Sequence, residues 1–170
     1  MKEDTMTERR TIVPAGLRGV YEQWRYAPAV AANGFIHVCG IIGVSPGGGT
    51  PDWLGNESNQ AFAGASSTTA KGDAPLAALE AVRDPEAQFA VAFETLAGIL
   101  REGGADLSDV VEITSYHVGI SAHMVAFMRV WARYLKEPYP AWTAIGVAEL
   151  IVPGGLVELR AVAVDPRQAR

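Results

Sequence analysis

An apolar stretch near the carboxyl end of the chain, Leu156 to Val164, places the strongest constraint on the fold. In a β-strand, alternate residues face opposite sides of the sheet. The wholly apolar set contains Val157, Leu159, Ala161 and Ala163. The partly polar set contains Leu156, Glu158, Arg160, Val162 and Val164. We therefore expect a strand whose first face packs under helices and whose second face is covered by another subunit.

A hairpin and a long helix are the clearest elements upstream. Val30 to Gly43 holds two apolar runs joined by Asn33-Gly34, a dipeptide that favours the positive φ angles of a type I′ turn. A helix is predicted to begin at Asp84-Pro85, where Asp caps free N–H groups and Pro fits the first helical position, and to end at Gly103-Gly104. Its apolar stripe consists of Phe89, Ala92, Phe93, Leu96, Ile99 and Leu100.

The second half of the chain continues with strand, helix and two strands. Val110 to Val118 is rich in β-branched residues and predicts a strand. A second helix is predicted from about Ser121 until the prolines of Pro138 to Pro140 prevent its continuation. Its apolar stripe consists of Met124, Phe127, Met128, Trp131, Tyr134 and Leu135. Trp142 to Val147 predicts another strand, separated from the last one by the turn Pro153 to Gly155.

This order of elements predicts an α+β fold in which two helices pack on one face of a single mixed sheet. Residues 1–14 are polar and charged, which predicts a flexible N-terminal leader before a single domain over residues 15–170. Residues 45–83 are poor in apolar anchors and predict a long loop insertion. Within it, the sequence allows a short helix around Leu76 to Val82.

Composition and charge exclude several classes of partner. The formal net charge is -5 and no Lys/Arg cluster is present, so we expect no nucleic-acid partner. The single cysteine, Cys39, leaves no intramolecular disulfide, and the charged N-terminus lacks the apolar run of a signal peptide. Every apolar stretch is too short or too interrupted to span a bilayer. These features predict a cytoplasmic chain without a membrane anchor.

Several phrases of the sequence resemble the Rid (YjgF-like) family of reactive enamine and imine deaminases. The matching phrases are Tyr26 to Val30 with Asn33-Gly34, Val38 to Gly40, Gln88, Leu100 to Val111, Tyr139 to Ala141, and Leu156 to Leu159. The resemblance implies a chorismate-mutase-like fold and a homotrimer whose sheets form a central barrel, with clefts between subunits. It also implies hydrolysis of small enamines or imines to 2-oxo acids and ammonia, without a cofactor.

Two positions depart from the family pattern. Trp142 follows Pro140-Ala141 where the best-known members have the arginine that clamps the substrate carboxylate. An indole cannot copy the bidentate grip of a guanidinium, so we expect weak hydrolysis of 2-iminopropionate and a preference for apolar or aromatic substrates. The cations that could hold a substrate carboxylate in place of the missing arginine are Arg25, Arg129 and Arg160. The glutamine that commonly follows the first hairpin's Ser-Gly is also absent after Cys39-Gly40.

Glu158 and Tyr26 are the candidate catalytic residues. Glu158 is a lone carboxylate in an apolar strand, where burial would raise its pKa and allow it to move a proton near neutral pH. Its alternative role is an ion pair with Arg160 or with a cation of another subunit. Tyr26 is either a hydrogen-bonding residue of the cleft or a half-buried surface aromatic.

The candidate substrate-binding residues are Trp142, Cys39, Gly40 and Thr143. Cys39 has no partner nearby in sequence that would activate it as a nucleophile, which favours a small inert wall residue. His37, His117 and His123 lack the spacing and accompanying ligands of a metal site, and no metal is expected. The glycines at positions 47–49 lack the Lys and Ser/Thr of a phosphate-binding loop.

Three functions follow from these residues. The first is a Rid-type hydrolase that acts on a small imine, enamine or related metabolite, with its substrate choice altered by Trp142. The second is a non-catalytic trimer with a small-molecule-binding or regulatory role. The third is a ribonuclease, which the acidic charge balance disfavours.

Overall fold

A mixed six-stranded sheet organises the part of the chain that this computed structural model describes, residues 9–54 and 80–168. The strands are β1 Arg10–Ile12, β2 Ala29–Ala32, β3 Phe35–Ile42, β4 Val44–Ser45, β5 Glu80–Ala81, β6 Val110–Val118, β7 Ala141–Val147 and β8 Val157–Val164. The helices are α1 Arg18–Trp24, α2 Pro85–Gly103 and α3 Ile120–Tyr134. The sheet order is β1-β2-β3-β8-β6-β7, while β4 and β5 pair separately. Neighbouring strands are antiparallel except β6 and β7, which are parallel.

The central strand β8 has the two different faces that its sequence predicts. Val157, Leu159, Ala161 and Ala163 are each at most 1% exposed. They share the main core cluster with the predicted apolar stripe of α2, which is buried along its whole length. The residues between them lie on the opposite side of the sheet, here called the open face, and are half-buried or exposed. The structure therefore confirms an α+β fold, and residues 9–54 and 80–168 contain three α-helices where the sequence predicted two.

Local chemistry sets the bounds of the predicted hairpin and the first predicted helix. Asn33 and Gly34 have φ angles of 53° and 79°, as a type I′ hairpin turn requires. The Asp84 carboxylate accepts a hydrogen bond from the Ala87 N–H at 2.8 Å and caps α2. Gly104 ends that helix with a φ of 90°, which favours glycine. All three features were predicted from sequence.

The first described residues differ from the expected leader over residues 1–14, because Arg10–Ile12 forms the edge strand β1. The Arg10 guanidinium lies 3.1 Å from the buried Asp165 carboxylate and also donates to the Gly103 carbonyl. Ile12 is buried in the main core. Contacts with the far end of the chain therefore hold this segment, and sequence periodicity could not show them. Residues 1–8 lie outside the described residues.

Two further segments differ from the sequence-based expectation. Helix α1 was not predicted; it is short, and Arg25 ends it in a left-handed conformation with a φ of 59°. Residues 80–82, placed in a possible short helix, instead include strand β5, which pairs with Val44 and Ser45. The rest of that proposed helix and most of the predicted insertion lie outside the described residues. No helix in the described ranges is long and apolar enough to cross a membrane.

A buried amide joins two segments, one at Val82 and one from Gly154 to Leu156, to the start of α2. The Gln88 side chain is fully buried, and its Nε2 donates to the carbonyls of Val82 at 2.8 Å and Gly154 at 3.1 Å. Its Oε1 accepts from the Leu156 N–H at 2.6 Å, directly before β8. Gly43 packs against the Gln88 backbone so closely that a β carbon there would overlap the carbonyl. Gln88 thus provides partners for three backbone groups, one of which belongs to the fully buried Val82.

We predict that Gln88→Leu lowers the free energy of unfolding by about 3 kcal/mol, because it leaves three backbone groups without their side-chain partner. Urea denaturation followed by circular dichroism measures the change. Gln23→Leu is the matched control, since Gln23 is exposed on α1. Equal stability losses in the two variants would contradict the bridging role of Gln88.

Candidate active site

A β-bulge in β3 shapes the candidate site. Val38 pairs with Ala161 and Ile41 pairs with Leu159, so Cys39 and Gly40 together oppose a single residue of β8. The bulge accommodates the extra residue, so that Val38 and Ile41 both point into the core although they are three positions apart. It also places Gly40 against the Glu158 side chain on the open face. A β carbon at position 40 would overlap the Glu158 carboxylate, so the close approach requires glycine.

A cavity of about 440 Å³ opens beside this bulge. Its walls come from α1, from the β3 bulge, from α2 and from the loop before β8. The lining residues are Leu17, Val20, Trp24, Tyr26, Pro28, Cys39, Gly40, Ile41, Ile42, Val44, Thr95, Ile99, Ile151, Val152 and Glu158. The cavity is therefore mainly apolar, and Glu158 is the one residue in this lining that carries a charge at neutral pH. Such a shape with few polar groups is typical of a small-molecule site.

Burial controls the protonation of the polar groups in the cavity. It raises the pKa of the half-buried Glu158 carboxyl above its ordinary value. Burial and the nearby Glu158 charge raise the pKa of the Cys39 thiol to about 12. Although 43% of Tyr26 is exposed, burial of the remainder, with Cys39 and Glu158 nearby, raises its pKa to about 12. The phenol and the thiol are therefore held protonated, and Glu158 is the one carboxylic acid among these three groups.

The structure brings four of the six predicted site residues together. Glu158, Tyr26, Cys39 and Gly40 all line the cavity, and the protonated thiol of Cys39 supports its interpretation as an inert wall residue. The walls formed by α1 and by Ile151 and Val152 were not predicted from the sequence. No pattern in the sequence marks these segments, because their closeness to Glu158 arises only from the tertiary fold.

Trp142 and Thr143 lie on the edge strand β7, outside this cavity within the single chain. The Trp142 indole packs on the helix side of the sheet, with its ring centroid 4.7 Å from that of Trp131. Its N–H donates to the Ser115 hydroxyl at 2.8 Å. Thr143 pairs with Thr114 and faces the other side of the sheet from Trp142. Contact of these two residues with substrate stays a prediction.

The arginines that could replace the family's carboxylate clamp are placed elsewhere. Arg129 of α3 pairs with Glu86 of α2, and Arg160 lies 3.9 Å from Glu112 on the open face. Arg25 follows α1 and is not part of the cavity lining. Within residues 9–54 and 80–168, no cation lies within 4.0 Å of the Glu158 carboxylate. The alternative Glu158–Arg160 ion pair is therefore not formed within one chain.

A buried polar chain lies behind Trp142. The Ser115 hydroxyl, which accepts from Trp142, is also 2.8 Å from Nε2 of the fully buried His117. Nδ1 of His117 has no hydrogen-bond partner among the residues that the structure describes. The ring stands edge-on to Phe127, with centroids 4.8 Å apart. Burial, together with the nearby His123, lowers the pKa of His117. The ring is therefore neutral at neutral pH and packs as part of the core.

The fold and cavity define a class of protein: an α+β domain with a carboxylate in an apolar cavity beside a bulged strand. Residues 69–165, more than half of the chain, match the family described as Endoribonuclease L-PSP. The chain therefore belongs to this family, the group of the YjgF and RidA proteins, as the sequence resemblance predicted.

Individual relatives agree with this assignment. The chain is 27% identical to the RutC family protein YjgH of Escherichia coli over 164 residues, which covers 96% of this chain and all of YjgH. It is similar to the solved structure of protein YjgH with a TM-score of 0.67 at 26% identity, over 95% of this chain and 99% of that one. RidA of an Antarctic Psychrobacter shares the fold with a TM-score of 0.58 at 22% identity, over 82% and 87% of the two chains.

We predict that Gly40→Ala displaces the Glu158 carboxylate from the bulge toward solvent and so lowers the pKa of this group toward its ordinary value. The obstacle is the end of a flexible side chain, so the free energy of unfolding should change by less than about 1 kcal/mol. Carboxyl carbon NMR titration gives the pKa and urea denaturation gives the stability. Gly49→Ala is the control, because a β carbon there meets open space. An unchanged Glu158 titration in Gly40→Ala would contradict the contact.

We predict that His117 makes stability depend on pH in the range just below neutrality. Its folded-state pKa lies below the unfolded value of about 6.5, so protonation favours the unfolded chain. The contribution is complete above about pH 6.5 and decreases as the pH falls toward the folded-state pKa, by at most about 1.4 kcal/mol per pH unit. The test compares unfolding free energies of the native protein and His117→Gln between pH 8 and pH 5. Parallel pH profiles would show that His117 does not contribute.

Proposed function

We propose that this protein is a Rid-type hydrolase that adds water to the C=N bond of a small imine, or of the imine tautomer of an enamine. The observation that carries the proposal is the position of Glu158. Its carboxylate is the lone proton-exchanging group of an apolar cavity, and the β3 bulge leaves room for it only because residue 40 is glycine. A carboxylate with a raised pKa suits proton transfer near neutral pH.

In the proposed reaction, the Glu158 carboxylate takes a proton from a water molecule as the water oxygen bonds to the carbon of a protonated imine. The C=N π electrons become the nitrogen lone pair, and a carbinolamine forms. Glu158 then returns the proton to nitrogen. The C–N bond breaks as the C=O bond forms, and ammonia takes the hydroxyl proton. The products are one carbonyl compound and one ammonium ion, and the carboxylate is regenerated.

The other lining groups bind and orient in this proposal. Tyr26, whose raised pKa keeps its hydroxyl protonated, donates a hydrogen bond to the oxygen of the carbinolamine. Cys39 stays a thiol that donates to the Gly40 carbonyl at 3.3 Å, so it forms a wall rather than a nucleophile. The apolar walls exclude bulk water from the reacting carbon.

The proposal includes a chorismate-mutase-like homotrimer in which the sheets form a barrel. Edge strand β7 carries no charged residue, and Ala141 to Gly146 are all exposed. Uncharged, exposed edges are rare in monomers because they pair with other chains. The open face also exposes Phe35 and Ile145, which are 41% and 40% exposed. A neighbouring subunit would cover these surfaces, and Trp142 and Thr143 would reach substrate only across that interface.

Two other functions use the same fold. A non-catalytic binding or regulatory protein would keep the cavity but would not need the Glu158 carboxylate for chemistry. The family description names an endoribonuclease, but no Lys, Arg or His occurs in the lining of the cavity described above. The whole chain has a formal net charge of -5, and the cavity lining offers no cation to neutralise phosphates. Hydrolysis of an imine is therefore the function that we favour.

We predict that Glu158→Gln lowers kcat/KM by about 100-fold or more while the protein stays folded, because the amide cannot accept the proton from water. The assay measures decay of imines generated in situ by an amine oxidase or an amino-acid oxidase. Glu102→Gln, a change at an exposed position of α2, is the charge-matched control and should retain native kcat/KM. Native-level turnover by Glu158→Gln would exclude the mechanism, and absence of turnover in the native protein would favour the binding protein.

A further inference from the structure

We infer that the ligand of the Glu158 cavity is an apolar cation, an amine or iminium ion with an aromatic or aliphatic body and no carboxylate. The inference builds on the proposed function for the location of the site and adds the class of ligand. It follows from the distribution of charge and apolar surface around the cavity. The 2-imino acids that the family resemblance implies carry a carboxylate, so this chain would differ from that pattern.

The first support is the charge of the cavity lining. Glu158 is its only group that is charged at neutral pH, and no Lys, Arg or His belongs to the lining described above. A cationic nitrogen beside this carboxylate forms a charge-assisted hydrogen bond, which is stronger than a neutral one. A carboxylate in the same place would meet a like charge with nothing to offset it.

The second support is the placement of the three candidate clamp arginines: Arg160 and Arg129 pair with other groups, and Arg25 lies outside the cavity lining. Arg160 is two residues from Glu158 on the same face of β8, but it lies against Glu112 of the neighbouring strand. Arg129, the other candidate clamp with a described partner, pairs with Glu86 between two helices. A ligand carboxylate would have to compete with these acidic side chains for an arginine.

The third support is the apolar surface that surrounds Glu158. Trp24, Ile41 and Ile151 belong to the cavity lining, and the volume of about 440 Å³ accommodates a ligand with one aromatic ring. Burying an apolar body here gains free energy in proportion to the area removed from water. The same lining offers a strongly solvated carboxylate no cation and few hydrogen-bond donors, the Tyr26 hydroxyl among them, so the carboxylate would lose most of its hydration on entry.

Three probes of similar size separate charge from shape: 2-phenylethylamine, which is cationic at pH 7.5, the neutral 2-phenylethanol, and the anionic phenylacetate. Isothermal titration calorimetry measures their binding to the native protein. We expect the amine to bind about tenfold or more tightly than phenylacetate, with the alcohol between them. Phenylacetate bound as tightly as the amine, or no binding of any probe, would overturn the inference.

Variants show whether Glu158 causes the preference. Glu158→Gln should bring the affinity for the amine to that for the alcohol, while Glu102→Gln should keep the native order. A preference for the amine that survives in Glu158→Gln would overturn the inference. Binding is measured without turnover, so the two proposals fail separately. Amine preference without imine hydrolysis would refute the hydrolase, and imine hydrolysis without amine preference would refute the ligand class.

Discussion

The pairing of β8 with both β3 and β6 is the constraint on which the rest of the structure depends. Because β8 lies between two partners, all its apolar alternate residues are held under α2 and form the centre of the core. The same alternation fixes Glu158 on the opposite face, where no choice of rotamer could return it to the core. Gln88 then joins the start of β8 to the start of α2. The position of the acid is thus a consequence of core packing.

Much of the fold could be predicted because the relevant chemistry is local. Asn33-Gly34 needs only its own backbone preference to make a turn, and Asp84 and Gly104 mark the ends of α2 within a few residues. Strand β1 and helix α1 are different, since both are too short for a periodic signal. Arg10 is held by Asp165, from the other end of the chain. Contacts of this kind exist only after folding.

The residues of the candidate site could be predicted where a single residue stands out in its strand or where a phrase of the sequence matches the family. Glu158 is visible as the one acid in an apolar strand, and the resemblance indicated Tyr26, Cys39 and Gly40. The bulge was not predictable, because a bulge is a relation between two strands and depends on how many residues the partner provides. The orientation of Trp142 also depends on tertiary neighbours, since Ser115 and Trp131 hold its indole on the helix side.

The β3 bulge also shows how many residues strand β3 needs in order to complete the core. Cys39 and Gly40 face one position of β8, so a strand shorter by one residue would pair without interruption and still bury Val38 and Ile41. The core therefore has no use for the additional residue. Its effect is confined to the open face, where the bulge at Gly40 leaves a gap, here called the notch, that holds the Glu158 carboxylate. A chain of this architecture that had lost the notch would keep its core, and its β3 would be one residue shorter.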